Sequence, residues 1–176
     1  RGVTRAQFSV YTGLIERAWF SALRSAVGAR HDHERVLELD PDYIDAKMVL
    51  GVHNYVLGNL PWTVKVAAAL VGLTGSKEKG LEYLREVAKS GGEESVDAKV
   101  MLSLFLRRER QYDEALGYMR ELSARYPKNH LFPTEVANLL RAAGRLDEAE
   151  ALAGAAASAR RFVAAGTPAG RTVPAA

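Results

Sequence analysis

Residues 113–122 read Asp-Glu-Ala-Leu-Gly-Tyr-Met-Arg-Glu-Leu, and the chain repeats this stretch. Residues 78–87 align with it without a gap, 35 positions earlier, and its opening recurs 34 positions later at 147–152. Such a period is typical of proteins built from repeated helix pairs, because one pair cannot bury its apolar face alone and stacked neighbours close the core. The stretch therefore predicts a repeat architecture.

The repeated stretch has the apolar spacing of an α-helix. Apolar side chains recur about one helical turn apart at Tyr112, Ala115, Leu116, Met119 and Leu122. Pro127 should end this helix, because proline cannot donate to the hydrogen-bond ladder. Gly144 lies between a run at 131–143 and another from 146 to about 163, where it suits a left-handed helix cap. Since no alternating β-branched run predicts a strand, the expected fold class is all-α.

Small residues recur where the two helices of a pair are expected to cross closely. Ala115 and Ala149 occupy this place in two copies, and Gly80 occupies it in the earlier copy. We expect all three positions to be packed against a neighbouring helix, because only a small side chain permits such an approach.

Further residues extend the pattern along the chain. They are Pro41, Gly51, Gly58, Leu102, Tyr112, Ala115, Pro127, Gly144, Leu146 and Ala149. With these residues, the chain resembles the tetratricopeptide repeat (TPR) family of bacterial type over 29–163. The resemblance implies a right-handed α-solenoid of about three and a half TPR-like helical hairpins. It also implies a concave groove that holds a peptide, a helix or a partner domain.

In the family that the chain resembles, the first helix of each pair lines the groove. Carried over by register, the candidate partner-binding residues are Asp45, Met48, Tyr55, Asp97, Leu104, Arg107, Arg108, Asn138 and Arg141. The last four would form a cationic, polar end, where arginine suits a carboxylate and asparagine suits a peptide backbone. An alternative stays open, in which 107–110 is only the charged end of a helix. The family's carboxylate-clamp pattern is not reproduced residue by residue.

One copy contains an insertion at about 60–76, where the turn after Gly58 should lead directly into the second helix. The insertion is apolar nearly all round and carries one charge, Lys65, which predicts an extra inserted helix. Either the rest of the protein covers this helix, or it docks onto a partner or a membrane through Trp62, Lys65 and Leu70. Because the helix lacks a polar face, the pattern favours burial by protein over membrane contact.

The two ends of the chain differ from the predicted repeat domain at 29–163. Residues 1–28 predict an N-terminal amphipathic helix, with Gly28 either kinking one long helix or separating two. Residues 164–176 are rich in proline, glycine and small side chains, and they predict a disordered tail. The chain begins without Met inside a helical pattern, which indicates a piece of a longer protein.

Charge and composition limit the functional class. The chain has 24 Lys and Arg and 21 Asp and Glu, for a net charge of +3. Residues 1–30 carry +4 and 156–176 carry +3, so the body at 31–155 carries −4. A nucleic-acid-binding domain usually has a basic stripe on its folded body, so nucleic acid is not an expected partner. The absence of cysteine excludes disulfides and thiolate chemistry.

Sequence motifs for catalysis and for metal binding are not found. The sequence contains no Gly-rich phosphate loop, no nucleophile elbow and no HExxH pair. His31 and His33 are two positions apart, so on a helix they point to different sides and cannot share a metal. We therefore expect no enzyme activity, no cofactor and no metal.

The sequence thus predicts a non-catalytic scaffold for protein–protein interaction. The expected partner is a protein or peptide, and the arginines favour an acidic one. The alternative is a membrane-associated assembly or docking factor that acts through the 60–76 insertion. The oligomeric state and the compartment, whether cytoplasmic or periplasmic, stay open.

Overall fold

The computed structural model describes residues 2–14, 19–70, 72–92 and 94–154. Every regular element in these ranges is a helix, and none is a strand, which confirms the predicted all-α class. The helices are α1 (Gly2–Leu14), α2 (Trp19–Leu39), α3 (Ala46–Gly58), α4 (Trp62–Leu70), α5 (Lys77–Ser90), α6 (Ser95–Arg108), α7 (Tyr112–Arg125), α8 (Leu131–Ala142) and α9 (146–154). The chain divides into two compact units, Arg1–Phe105 and Leu106–Ala176. The predicted tail at 164–176 lies outside the described residues.

The first unit begins with two helices that pack on each other. α1 lies against α2, where the Arg5 guanidinium donates to the Asp32 carboxylate at 2.9 Å, and α2 in turn packs on α3. α2 runs through Gly28 without a break, so Gly28 does not separate two helices. The predicted boundary between residues 28 and 29 therefore falls inside α2. A glycine inside a helix costs only about 0.5–1 kcal/mol relative to alanine, which the packing of neighbouring helices can offset.

In the first unit, α3 and α5, the two helices on either side of the insertion, pack directly on each other. A Cβ atom placed on Gly80 would lie 2.5 Å from the backbone nitrogen of Tyr55 and 2.7 Å from the carbonyl oxygen of Gly51. A Cβ atom on Gly51 would lie 2.8 Å from the Leu84 side chain. The helices therefore approach backbone to backbone at the position where the sequence predicts a small residue.

Local signals set the ends of α5. The Ser76 hydroxyl accepts a hydrogen bond from the Lys79 N–H at 3.2 Å, which caps the first turn. Gly91 follows the helix in the left-handed conformation, with φ of 73°. The inner side of α5 is buried at Leu81, Leu84, Val87 and Ala88.

The second unit contains two helix ends with the same hydrogen-bond pattern. At the end of α6, the Gln111 N–H donates to the Leu106 carbonyl at 2.8 Å, and Arg110 between them has φ of 59°. At the end of α8, the Arg145 N–H donates to the Leu140 carbonyl at 2.9 Å, and Gly144 has φ of 77°. Both are Schellman turns, and the prediction of a left-handed cap at Gly144 is confirmed.

The core of the second unit lies on the inner side of α7, which packs on α8. Ala115, Leu116, Met119 and Leu122 are buried there. Ala149 on α9 is also buried, so both alanine positions predicted for a close approach are inaccessible to solvent. α7 ends at Arg125, two residues before Pro127, as the proline predicts.

Candidate functional site

Two of the predicted partner-binding residues in the second unit meet through a carboxylate. The Arg107 guanidinium donates to one oxygen of Glu135 at 3.0 Å, and the Asn138 amide donates to the other at 3.2 Å. Arg107 lies in the last turn of α6, whereas Glu135 and Asn138 lie one turn apart on α8. The contact therefore joins the first helices of two successive predicted pairs.

Two further arginines lie next to these residues along their helices. Arg108 follows Arg107 on α6, and Arg141 lies one turn after Asn138 on α8. Both are exposed, and within the described part of the chain neither has an ion-pair partner. Arg107, Glu135 and Asn138 are joined by these hydrogen bonds, and we call them, with their neighbours Arg108 and Arg141 along the helices, the polar cluster. It carries three guanidinium groups and one carboxylate, so its net charge is positive.

Glu135 is the member of the polar cluster that sequence analysis missed. Its side chain is mostly covered and accepts both hydrogen bonds, so it holds Arg107 and Asn138 in place. Glu135 could have been predicted from the sequence, because a residue three positions before Asn138 lies on the same side of the helix. A carboxylate can bind Arg108 or Arg141 directly, whereas it must compete with Glu135 for Arg107.

In the first unit, the predicted site residues have different environments. Asp45 and Met48 at the start of α3 are half-buried, and Asp97 on α6 is exposed together with Leu104. Tyr55 is only 2% exposed, its ring stacks on Phe105 with a 3.8 Å centroid separation, and its hydroxyl lies 3.4 Å from the Phe105 carbonyl. Tyr55 is therefore a core residue, and the prediction that it lines an open binding surface is wrong.

The insertion forms the nine-residue helix α4, and most of its side chains are exposed. Trp62 and Leu70 are 76% and 84% exposed, and Lys65 is exposed as well. The prediction that the rest of the protein covers this helix holds only for its inner side, where Ala68 is half-buried. The three residues assigned to docking are accessible.

A polar contact outside the predicted sites connects α2, α3 and the segment after α4. Arg30 donates to Glu34 at 2.7 Å and to the Thr74 carbonyl at 3.3 Å, and its Nη1 lies 3.4 Å from Nε2 of His53. Because a guanidinium can only donate, His53 accepts here as the neutral ring. Burial lowers the pKa of His53, the charge of Arg30 lowers it further, and Glu34 acts in the opposite direction.

Metal-binding and membrane-spanning features are not found in the ranges that the structure describes. No group of three or more His, Asp and Glu side chains there is placed to hold a metal ion. None of the helices in those ranges combines the length and the apolar character that crossing a bilayer requires.

The polar cluster and the exposed side of α4 are thus the two candidate binding surfaces. No family model matches the chain, and comparison with curated proteins and with solved structures gives no match.

Proposed function

We propose that this chain is a non-catalytic protein-interaction scaffold whose polar cluster binds an acidic peptide or an acidic segment of a partner protein. The proposal includes the TPR-like architecture, in which the hairpins stack as a right-handed solenoid and their first helices share a groove. The observation that carries it is the 3.0 Å contact from Arg107 on α6 to Glu135 on α8, because adjacent first helices are what such a groove requires.

Two local features support the repeat in this proposal. The turns after α6 and α8 have the same hydrogen bonds at positions 34 residues apart. Small residues occupy the equivalent position in both copies, where Gly80 lies at the close crossing of α3 and α5 and Ala115 is buried on α7. These features are expected if each hairpin is the same structural unit.

The chemistry of the polar cluster favours binding of a carboxylate. Arg108 and Arg141 present unpaired guanidinium forks to solvent, which is the geometry that recognises carboxylates in pairs of hydrogen bonds. Glu135 orients Arg107 and Asn138 without neutralising the other two arginines. Guanidinium and amide groups recognise charge and peptide backbone but do not transfer protons near neutral pH, so the proposed role is recognition.

A peptide-display selection tests this function. We expect random peptides selected on the purified chain to be enriched in Asp and Glu, and their affinity to fall as ionic strength rises. The double variant Arg108→Glu with Arg141→Glu should lose at least tenfold in affinity. The matched control reverses the same number of charges elsewhere in the second unit, with Arg125→Glu and Lys128→Glu, both of which are exposed. Equal loss in the two double variants, or selection of peptides without acidic residues, would disprove the assignment.

A further inference from the structure

The first unit contains a cavity that is lined by α2, α3 and α5. Its volume of about 370 Å³ lies within the range of small-molecule sites, about 300–1,000 Å³. Four of the side chains that line it carry a charge, and we call it the charged cavity. Its polar lining residues are Arg30, Glu34 and Glu38 of α2, Asn54 of α3, and Lys79 and Tyr83 of α5.

The second unit contains a cavity at the aligned positions of the repeat. Pro127 follows Pro41 by 86 positions, and the stretch at 147–152 follows the start of 78–87 by 69 positions. The second cavity has a volume of about 340 Å³ and is lined by α7, α8 and α9. With these offsets, the aligned lining residues include Glu34 with Arg120, Glu38 with Ala124, Asn54 with Leu140, Lys79 with Glu148 and Tyr83 with Leu152.

An ion pair closes across the second cavity but not across the charged cavity. In the second unit, Arg120 of α7 donates to Glu148 of α9 at 3.4 Å, and the other residues that line this cavity are uncharged. The aligned positions of the first unit have the opposite charges, with Glu34 on α2 and Lys79 on α5. Among the described residues, no ion pair joins α2 to α5. The charged cavity therefore holds apart two charges that could pair.

Residues that differ between the two copies give each of these charges another contact. Arg30 donates to one oxygen of Glu34 at 2.7 Å. The Lys79 ammonium group lies 5.2 Å from the centre of the Tyr83 ring, which is a cation–π contact. The second unit has leucine at the positions aligned with Arg30 and Tyr83, 116 and 152, and leucine can make neither contact. The separation of the two charges thus depends on residues that the repeat does not require.

Both sides of the charged cavity can still bind a ligand. The second oxygen of Glu34 accepts no hydrogen bond from a described residue, and the ion pair of Glu38 is with a neighbour on the same helix. The Lys79 ammonium group has three donors, and it forms no ion pair within the described part of the chain. The Tyr83 hydroxyl is a further donor. A ligand that carries both an ammonium group and a carboxylate complements this arrangement.

We propose that the charged cavity binds a small zwitterion, either a free amino acid or a short peptide with both termini free. Its ammonium group binds Glu34 and Glu38, and its carboxylate binds Lys79 and the Tyr83 hydroxyl. The four charged side chains of the cavity sum to zero, so a ligand of one sign would leave the opposite side unpaired. This inference goes beyond the proposed function, because it does not require that the polar cluster bind anything.

Isothermal titration calorimetry with the full chain tests the proposal. The probes are glycine, dialanine and trialanine, in which the two charges are progressively further apart. We expect at least one of them to bind with a Kd below about 1 mM. Acetylation of its amino group or amidation of its carboxylate should each weaken binding at least tenfold. The variant Glu34→Gln with Lys79→Gln should lose at least tenfold in affinity and keep the wild-type circular dichroism, because neither side chain is buried.

The matched control removes the same two charges elsewhere on the first unit. Glu82 and Lys89 are exposed on α5 and do not line the cavity, so Glu82→Gln with Lys89→Gln should bind as the wild type does. The proposal is overturned by any of three results. None of the three probes binds, a blocked probe binds as well as the free one, or the cavity variant binds as well as the control.

Discussion

Arg110 and Gly144 have the same left-handed backbone conformation at positions 34 residues apart, with φ of 59° and 77°. Each residue follows the end of a helix and forms part of a Schellman turn. The hydrogen bonds of this turn satisfy the last carbonyl groups of the helix. One copy of the turn therefore has glycine, and the other has a residue whose Cβ atom makes that conformation costly.

Replacing Arg110→Gly should stabilise the second unit by about 1 kcal/mol, because glycine adopts the left-handed conformation without the Cβ penalty. The Arg110 side chain is exposed, so its loss removes little packing. Urea denaturation measures the change. The reciprocal variant Gly144→Arg should destabilise by a similar amount, since no atom lies within 4 Å of an added Cβ and only backbone strain changes. A loss of stability in Arg110→Gly would contradict this explanation of the turn.

Replacing Gly80→Ala should destabilise the first unit by about 1–3 kcal/mol, because the added methyl would overlap backbone atoms of Tyr55 and Gly51. Gly117→Ala is the matched control, since Gly117 is an exposed glycine inside α7 with nothing within 4 Å of an added Cβ. It should stabilise by roughly 0.5–1 kcal/mol through helix propensity. Thermal and urea melts of both variants give the comparison, and equal effects in the two would mean that α3 and α5 do not cross at Gly80.

Replacing Glu135→Gln should increase the affinity for acidic peptides about three- to tenfold. The change keeps a hydrogen-bond acceptor for Arg107 but removes the negative charge that competes with the ligand. The cost in stability should stay below about 1 kcal/mol, because Arg107 is nearly half exposed and such ion pairs contribute little. Fluorescence anisotropy with a selected acidic peptide measures the affinity. Glu150→Gln, an exposed glutamate on α9, removes the same charge and should change the affinity less.

Stability should fall as the pH is lowered through about 6.5, the pKa of histidine in an unfolded chain. Burial and the Arg30 charge lower the pKa of His53, so the folded protein takes up this proton less readily than the unfolded chain does. The contribution of His53 is therefore complete above that pH and is lost as the pH falls toward the lowered pKa of the folded state. Urea titrations on both sides of pH 6.5 measure the change.

The variant His53→Gln isolates this effect, because its side-chain carbonyl can still accept from Arg30 but does not titrate. It should show a shallower dependence of stability on pH than the wild type. His130→Gln is the control, since His130 is exposed and should leave the wild-type dependence intact. If the two variants had the same pH dependence, His53 would not be the responsible group.

Most of the helical structure could be predicted from local sequence signals. Helix formation and helix ends depend on residues within about one turn of each other, which is why the apolar spacing on α7, the stop before Pro127 and the cap at Gly144 were read correctly. Of the two alternatives at Gly28, the separation of two helices is wrong, because tertiary packing holds α2 together through the glycine.

The candidate site could be predicted only in part. The alignment of the repeats predicted the helices that carry Arg107, Asn138 and Arg141. Arg107 and Asn138 both donate to Glu135. Which side chains stay accessible is a different question, because it depends on contacts between residues far apart in sequence. Tyr55 has the register of a surface residue, yet Phe105, fifty positions later, covers its ring.

The sequence by itself determined that this chain is helical, where several of its helices end and which positions had to be small. These properties arise from hydrogen bonds and steric contacts within a few residues. Only the tertiary structure decided that Tyr55 is core, that Glu135 joins Arg107 to Asn138 and that Trp62, Val66 and Leu70 of α4 stay exposed. The direction that an apolar helix faces is set by the shape of what it packs against, and a nearly uniform apolar sequence such as that of α4 carries no periodic signal to reveal it.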